Sequence, residues 1–219
     1  MAKKIAILHT VRSVLLSFEP RLREAMPEEE LVINNTLDEF LLTDANKNGF
    51  TQENLNRLYL ILKALEAEKP DVIVVSCSTL TPRVELIKPF IGVPIIAIDD
   101  AMSAKAAALG SKVLVMATAP STVEPTVSKI LADGAKIGAE LAITRLICSD
   151  AYAALQTGEG ERHDNILREA AKNITGQDVI VLAQASMAHL QQEIQDISGI
   201  ETVSSPDLCV AQVKEFLLG

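Results

Sequence analysis

Cys77 sits in the stretch of this chain whose residue types are best suited to chemistry. It lies in Lys69–Pro82, KPDVIVVSCSTLTP, with Ser76 before it and Ser78 and Thr79 after it. A thiolate is a nucleophile and a base. Hydroxyls and free amides beside it can hold an anion. A free cysteine is also among the most buried residue types, so the same thiol can be a small core residue. The run of small hydroxyl side chains favours the chemical alternative. A second group of candidates appears further on, in Gln177–His189, QDVIVLAQASMAH. Laid over the first stretch, Asp71-Val72-Ile73-Val74 falls on Asp178-Val179-Ile180-Val181, Cys77 on Gln184, and Thr79 on Ser186. A carboxamide donates and accepts hydrogen bonds but is no thiolate base.

These residues need strands to carry them. Val72–Val75 and Val179–Ala183 are short β-branched runs of the kind found in strands buried on both faces of a parallel sheet. In open α/β sheets, ligands bind beyond the carboxyl ends of the strands, where both candidate groups fall. The first strand recurs as well: KIAILHTVRS from Lys4 matches KVLVMATAPS from Lys112, setting Thr10 against Thr118. Ile95–Asp100 has a fainter counterpart in Thr202–Asp207. Three matches in order at nearly the same offset predict two α/β halves related by duplication.

His9, Thr10 and Arg12 follow the first strand. His9 is a candidate catalytic acid, base or proton relay that could lower the thiol pKa; its alternative is a hydrogen-bonded loop histidine. Arg12 can pair with a substrate carboxylate or lie on a helix surface. Thr10, Ser78, Thr79, Thr118 and Ser186 are candidate carboxylate holders, with helix capping as the competing use of some of the same hydroxyls. Ser121 or Thr122 can cap the helix after Thr118, whose first-turn amides could hold a carboxylate. His189 is the weaker histidine. Asp99 and Asp100 open a helix, where acids are favourable anyway, and they suggest no metal site. Cys148 and Cys209 read as structural.

The predicted elements alternate strand and helix: strands at Ile5–Leu8, Leu31–Asn34, Val72–Val75 and Val93–Ile98, then Val113–Ala117, Glu140–Thr144, Val179–Ala183 and around Val203. Helices are expected near Ser13–Met26, Thr51–Glu68, Val84–Lys88, Asp99–Leu109, Thr118–Asp133, Asp164–Asn173 and Leu208–Leu218. Thr36–Gly49 reads as a polar loop over the site. The order implies an α/β fold of two pseudo-symmetric three-layer halves, each with a mainly parallel four-stranded sheet, and a cleft between them. The first half is expected over 1–98 plus the terminal helix at about 206–219, and the second over 99–205.

Composition narrows the class. Of 219 residues, 48% are hydrophobic and only 3% aromatic, so the core must be aliphatic. The formal net charge of -9, without a basic stripe, argues against nucleic acid. No apolar run approaches a membrane span. The N-terminal MAKKIAIL has no secretory character. Three cysteines without paired spacing suit a reducing cytosol. A homodimer is the general expectation for such a chain.

Over nearly its whole length the chain resembles the aspartate/glutamate/hydantoin racemase superfamily. The resemblance rests on VVSCSTLTP, the threonine-bearing loop after the first strand of each half, and the AQASM segment. It implies a cofactor-independent enzyme, with two cysteines facing the α-carbon of a small carboxylate from opposite sides. Cys77 matches the first of these, while Gln184 stands at the second. The implied function is a racemase-like isomerase of a small amino, hydroxy or dicarboxylic acid, with Gln184 orienting substrate or stabilising charge. Arylmalonate decarboxylase and maleate isomerase are related, which makes a single-cysteine lyase or decarboxylase the alternative, with a non-catalytic carboxylate-binding protein as a third.

Overall fold

Four consecutive β-branched residues, Val72–Val75, are fully buried. A strand turns alternate side chains to opposite faces, so this burial requires a helical layer on each side of the sheet. The computed structural model, which describes residues 2–219, supplies both layers in each half of the chain.

The chain begins with β1 (Lys3–His9), α1 (Arg12–Ala25), β2 (Leu31–Leu37), α2 (Glu39–Asn48), α3 (Gln52–Ala67) and β3 (Val72–Val75). A 3-10 turn (Ser78–Leu80) leads into α4 (Thr81–Ile87), then a second 3-10 turn (Lys88–Phe90) and β4 (Ile95–Ala97). The sheet is parallel, in the order β2-β1-β3-β4, with Ile5 opposite Val72 and Ile73 opposite Ile95. On one face Ile73 and Val75 pack with Leu58, Leu62 and Leu65 of α3. Their spacing of four and three keeps them on one helical stripe. Thr51 caps α3 by accepting from Asn54 N–H at 3.1 Å. Val14, Phe18 and Leu22 are the buried residues of α1, which packs on β1 and β2.

The second half repeats the plan. It comprises α5 (Asp100–Leu109), β5 (Lys112–Ala117), α6 (Pro120–Lys136), β6 (Ala142–Ile147), α7 (Ser149–Gln156), α8 (Gly160–Ala171) and β7 (Val179–Leu182). A 3-10 turn (Ala185–Leu190), α9 (Gln191–Ser198) and β8 (Glu201–Ser204) follow, and α10 (Ser205–Leu218) ends the chain. This sheet is also parallel, in the order β6-β5-β7-β8, with Val113 opposite Val179. Leu114, Met116, Ile180 and Leu182 share a core with Leu167, Leu190 and Ile194. Among the described residues no helix is long and apolar enough to cross a membrane.

The chain separates into two compact units, one holding residues up to Asp99 together with Pro206–Gly219, the other Asp100–Ser205. Within the first, Lys3 Nζ donates to Leu217 O at 2.7 Å, and Arg21 pairs with Asp207. The repeated aspartates have a structural use. Asp71 Oδ2 accepts from Lys4 N–H at 2.7 Å, and Asp178 Oδ2 accepts from Ser111 and Lys112 N–H at 2.8 and 2.9 Å. Each aspartate thus pins the start of its unit's first strand to the central strand.

Two expectations change. Thr36–Gly49 is not a loop: β2 runs on to Leu37, and α2 occupies Glu39–Asn48. Asp38 caps α2 through Leu41 N–H at 3.1 Å. Buried Asn54 of α3 donates to Leu41 O and to Asp44 Oδ2, both at 3.0 Å. A side chain from another helix therefore satisfies α2, which its own sparse apolar pattern does not advertise. At the start of α6, neither Ser121 nor Thr122 acts as the cap. Ala119 holds that position, and Thr122 Oγ1 donates back to Ala119 O at 2.8 Å.

Candidate active site

In the first unit Cys77 continues β3 in extended conformation and immediately precedes the turn Ser78–Leu80. Leu80 N–H closes that turn on Cys77 O at 3.1 Å. The thiol is 8% exposed. Burial pushes its pKa up, while the Thr10 hydroxyl, the Leu80 and Thr79 amides and the Thr79 hydroxyl pull it down. At neutral pH the resting group is therefore a thiol, ringed by donors that favour its ionised form. Thr10 is 3% exposed, and its Oγ1 has no hydrogen-bond partner of normal geometry. A buried hydroxyl left this way costs free energy, and it favours the Cys77 thiolate over the resting thiol. Ser78 opens the turn beside the thiol, and Arg12 is the exposed first residue of α1.

His9 ends β1 fully buried. Its Nδ1 lies 2.7 Å from Ser76 Oγ and its Nε2 lies 3.0 Å from Asn35 Oδ1. The Asn35 amide donates to Glu19, which turns Asn35 Oδ1 toward the ring. Nε2 therefore carries the proton, and Nδ1 accepts from Ser76. Burial lowers the His9 pKa, against smaller opposing effects of Asn35 and Glu19. Ser76 and Asn35 thus fix the orientation of the imidazole, with Ser76 next to Cys77 in the chain. Sequence reading missed Asn35 and Glu19, since nothing local marks an edge-strand asparagine as a histidine partner. On α4 the Arg83 guanidinium carbon lies 4.9 Å above the Phe50 ring, and its buried Nε lacks a hydrogen-bond partner.

In the second unit Gln184 continues β7 in extended conformation before the turn Ala185–Leu190. Its Oε1 accepts from Thr118 N–H at 2.6 Å, Thr118 Oγ1–H at 3.0 Å and Ala119 N–H at 3.1 Å. Two backbone N–H groups demand an oxygen, so the carboxamide orientation is fixed. Thr118 is fully buried, and Ser186 is half-buried within the turn. His189 turns instead to α8, where its Nε2 meets Asp164 Oδ2 at 2.9 Å and Asp164 Oδ1 meets His163 Nδ1 at 2.7 Å. Cys148 is buried at the head of α7, its pKa raised by burial and by Asp150, and Cys209 is buried in α10. Among the described residues no three His, Cys, Asp or Glu side chains converge on a metal position.

Solved structures of racemases share this fold. Glutamate racemase of Francisella tularensis, solved with D-glutamate, superposes with a TM-score of 0.71 at 13% identity, covering 98% of this chain and 81% of that one. An aspartate racemase homologue from Pyrococcus horikoshii gives 0.72 at 17% identity, covering 99% of this chain and 100% of that one. Allantoin racemase of Klebsiella pneumoniae gives 0.65 at 16% identity, covering 98% and 87%. No protein of curated function matches in sequence. The family pattern of Asp/Glu/hydantoin racemases matches residues 10–213, and the chain belongs to that family.

Proposed function

We propose that this protein is a cofactor-independent isomerase-type enzyme acting on a small amino, hydroxy or dicarboxylic acid through Cys77. The observation that carries this reading is the set of groups favouring the Cys77 thiolate: the Thr10 and Thr79 hydroxyls and the Thr79 and Leu80 amides. A structural thiol needs none of them. An acid–base thiol needs donors that lower the cost of its charge as the substrate proton arrives and leaves. The thiolate takes the α-proton, the electron pair left behind spreads into the substrate carboxylate, water protonates the carbon from the opposite face, and the hydroxide left takes the proton from Cys77. Thr10, Ser78 and Thr79 are assigned to hold the substrate near Cys77, with Arg12 as a further cation. In the second unit Thr118, Gln184 and Ser186 are assigned to substrate binding. Gln184 offers only its Nε2 donors, because its carbonyl is committed to Thr118 and Ala119.

Gln184 also favours a second reading, a single-thiol lyase or decarboxylase. There loss of carbon dioxide leaves the electron pair on carbon, the Cys77 thiol delivers its proton to that carbon, and water reprotonates the sulfur. The rise of the Cys77 pKa through burial suits this donor role. Proton NMR in deuterium oxide separates the readings, using amino acids, hydroxy acids, small diacids, malonates and hydantoins. Deuterium entering an α-position of intact substrate, and absent in Cys77→Ala, supports the isomerase. Carbon dioxide release with one deuterium in the product supports the lyase. Exchange that persists undiminished in Cys77→Ala refutes both, and saturable binding without turnover identifies a carboxylate-binding protein.

A further inference from the structure

Within the first unit, an open groove runs between α3 and α4. Leu55, Asn56 and Tyr59 of α3 line one side, and Leu86, Ile87 and Phe90 line the other, around a cavity of about 330 Å³. Leu86 is 55% exposed and Phe90 69%. Their apolar surface holds water that an apolar occupant would release.

The cations of α3, α4 and the turn that follows are paired, with one exception. Arg57 meets Asp38 at 2.7 Å, Lys63 pairs with Glu66, and Lys88 meets Glu85 at 2.6 Å. Arg83 has no carboxylate partner among the described residues. It precedes Leu86 and Ile87 by three and four residues on α4, which sets it on their helical stripe. One face of its guanidinium lies over the Phe50 ring, and its Nε is buried without a hydrogen-bond partner. Stacking and burial thus strip water from a charge that no acid of the chain neutralises. A guanidinium in that state is suited to a carboxylate, which it binds through parallel N–H bonds.

We propose that this groove binds a monocarboxylic acid with an extended apolar tail, its carboxylate on the terminal nitrogens of Arg83 and its tail along Leu86 toward Phe90. Helix geometry sets the length. Leu86 lies about 4.5 Å along the axis from Arg83, and Phe90 about 12 Å once the 3-10 turn is counted. Acetate reaches only the cation, an uncharged alcohol fills only the groove, and a medium-chain acid engages both. A dicarboxylate is rejected, because its second charge would enter the apolar groove unpaired. The proposal does not depend on what Cys77 does.

The test uses the full chain and no enzymatic assay. The Leu55 and Leu86 methyl signals and the Arg83 Nε–H signal are followed by NMR while sodium octanoate is added at constant ionic strength. Octanoate shifts all three saturably. Hexanoate binds about 4- to 15-fold more weakly, its two missing methylenes counting for about 0.8 kcal/mol each when fully buried and half that in an open groove. Arg83→Gln weakens octanoate at least about tenfold, the equivalent of about 1.4 kcal/mol. Acetate and octanol each bind more weakly than octanoate. No saturable shift with octanoate, an affinity unchanged in Arg83→Gln, or octanol binding as tightly as the acid overturns the proposal. Shifts that grow with protein concentration in the absence of acid overturn it too, and assign the groove to a second copy of the chain. If Arg83→Gln does not fold, Leu86→Gln, at a half-exposed position, decides. It removes most of the difference between octanoate and hexanoate, and an undiminished difference overturns the proposal.

Discussion

Replacing Thr10 by Val removes one hydroxyl and almost no volume, so it tests the electrostatics of Cys77 with little disturbance of packing. Thr10 Oγ1 is buried, lacks a hydrogen-bond partner and favours the thiolate. A hydrogen bond to a charged group contributes about 1.5–3 kcal/mol, so its loss lowers the thiolate population by about 10- to 150-fold. The less acidic thiol is intrinsically more nucleophilic, which recovers about half of that change on a logarithmic scale. Net alkylation of Cys77 by iodoacetamide at pH 7.5 should therefore slow about 3- to 10-fold. Stability should move the other way, because removing an unsatisfied buried hydroxyl relieves about 1 kcal/mol. Peptide mass spectrometry localises the adduct to Cys77, apart from buried Cys148 and Cys209, and urea unfolding reads the stability. Slower alkylation together with equal or higher stability is the expected pair. An unchanged rate, or a destabilised variant, would refute the view that Thr10 serves the thiolate and would make it an ordinary packing residue.

Other perturbations test other parts of the structure. The His9 pKa is lowered from 6.5 by burial, so below that value the unfolded chain binds a proton that the native state refuses. Stability should fall as pH drops below about 6.5, and thermal melts should show a shallower fall in His9→Gln. Gly110→Ala would bring a Cβ within 2.3 Å of Asp178, loosening the carboxylate from the Ser111 and Lys112 amides. We expect a loss of roughly 1–3 kcal/mol, and a much smaller effect of the same change in an Asp178→Gly background, which removes the Cβ that is the nearest atom, read by urea unfolding. Asn54→Ala removes both bonds from α3 to α2 and leaves Leu41 O to find another donor. It should cost roughly 1–3 kcal/mol, with hydrogen exchange rising first in α2. Leu62→Ala, fully buried under the first sheet, should cost about 2–5 kcal/mol.

What the sequence disclosed follows from the range of the forces involved. The paired DVIV runs are local and repeat at one offset, and both became central parallel strands with matching registers. The leucine spacing and Thr51 marked α3 for the same reason. α2 escaped because its satisfaction comes partly from Asn54, on the next helix. His9 was visible as a residue at a strand end, but its direction was not. That depends on Asn35 of the neighbouring strand and Glu19 of α1, contacts no local pattern encodes. Gln184 was legible as the counterpart of Cys77, while the commitment of its oxygen to Thr118 and Ala119 depends on the turn after another strand. The candidate residues were thus named from chemistry and repetition, and their hydrogen bonds come from tertiary structure alone.

The return of α10 to the first unit has a consequence for synthesis. Cys209 and Val213 are fully buried in that helix, and Leu217 O receives Lys3 at the other end of the chain. The second unit is one uninterrupted segment, Asp100–Ser205, whereas the first needs Pro206–Gly219 to complete it. On a ribosome, where domains fold as units while the chain emerges, the unit made second is complete first. The unit that carries Cys77 must wait for α10, holding its candidate active thiol in an unfinished core until that helix has been made.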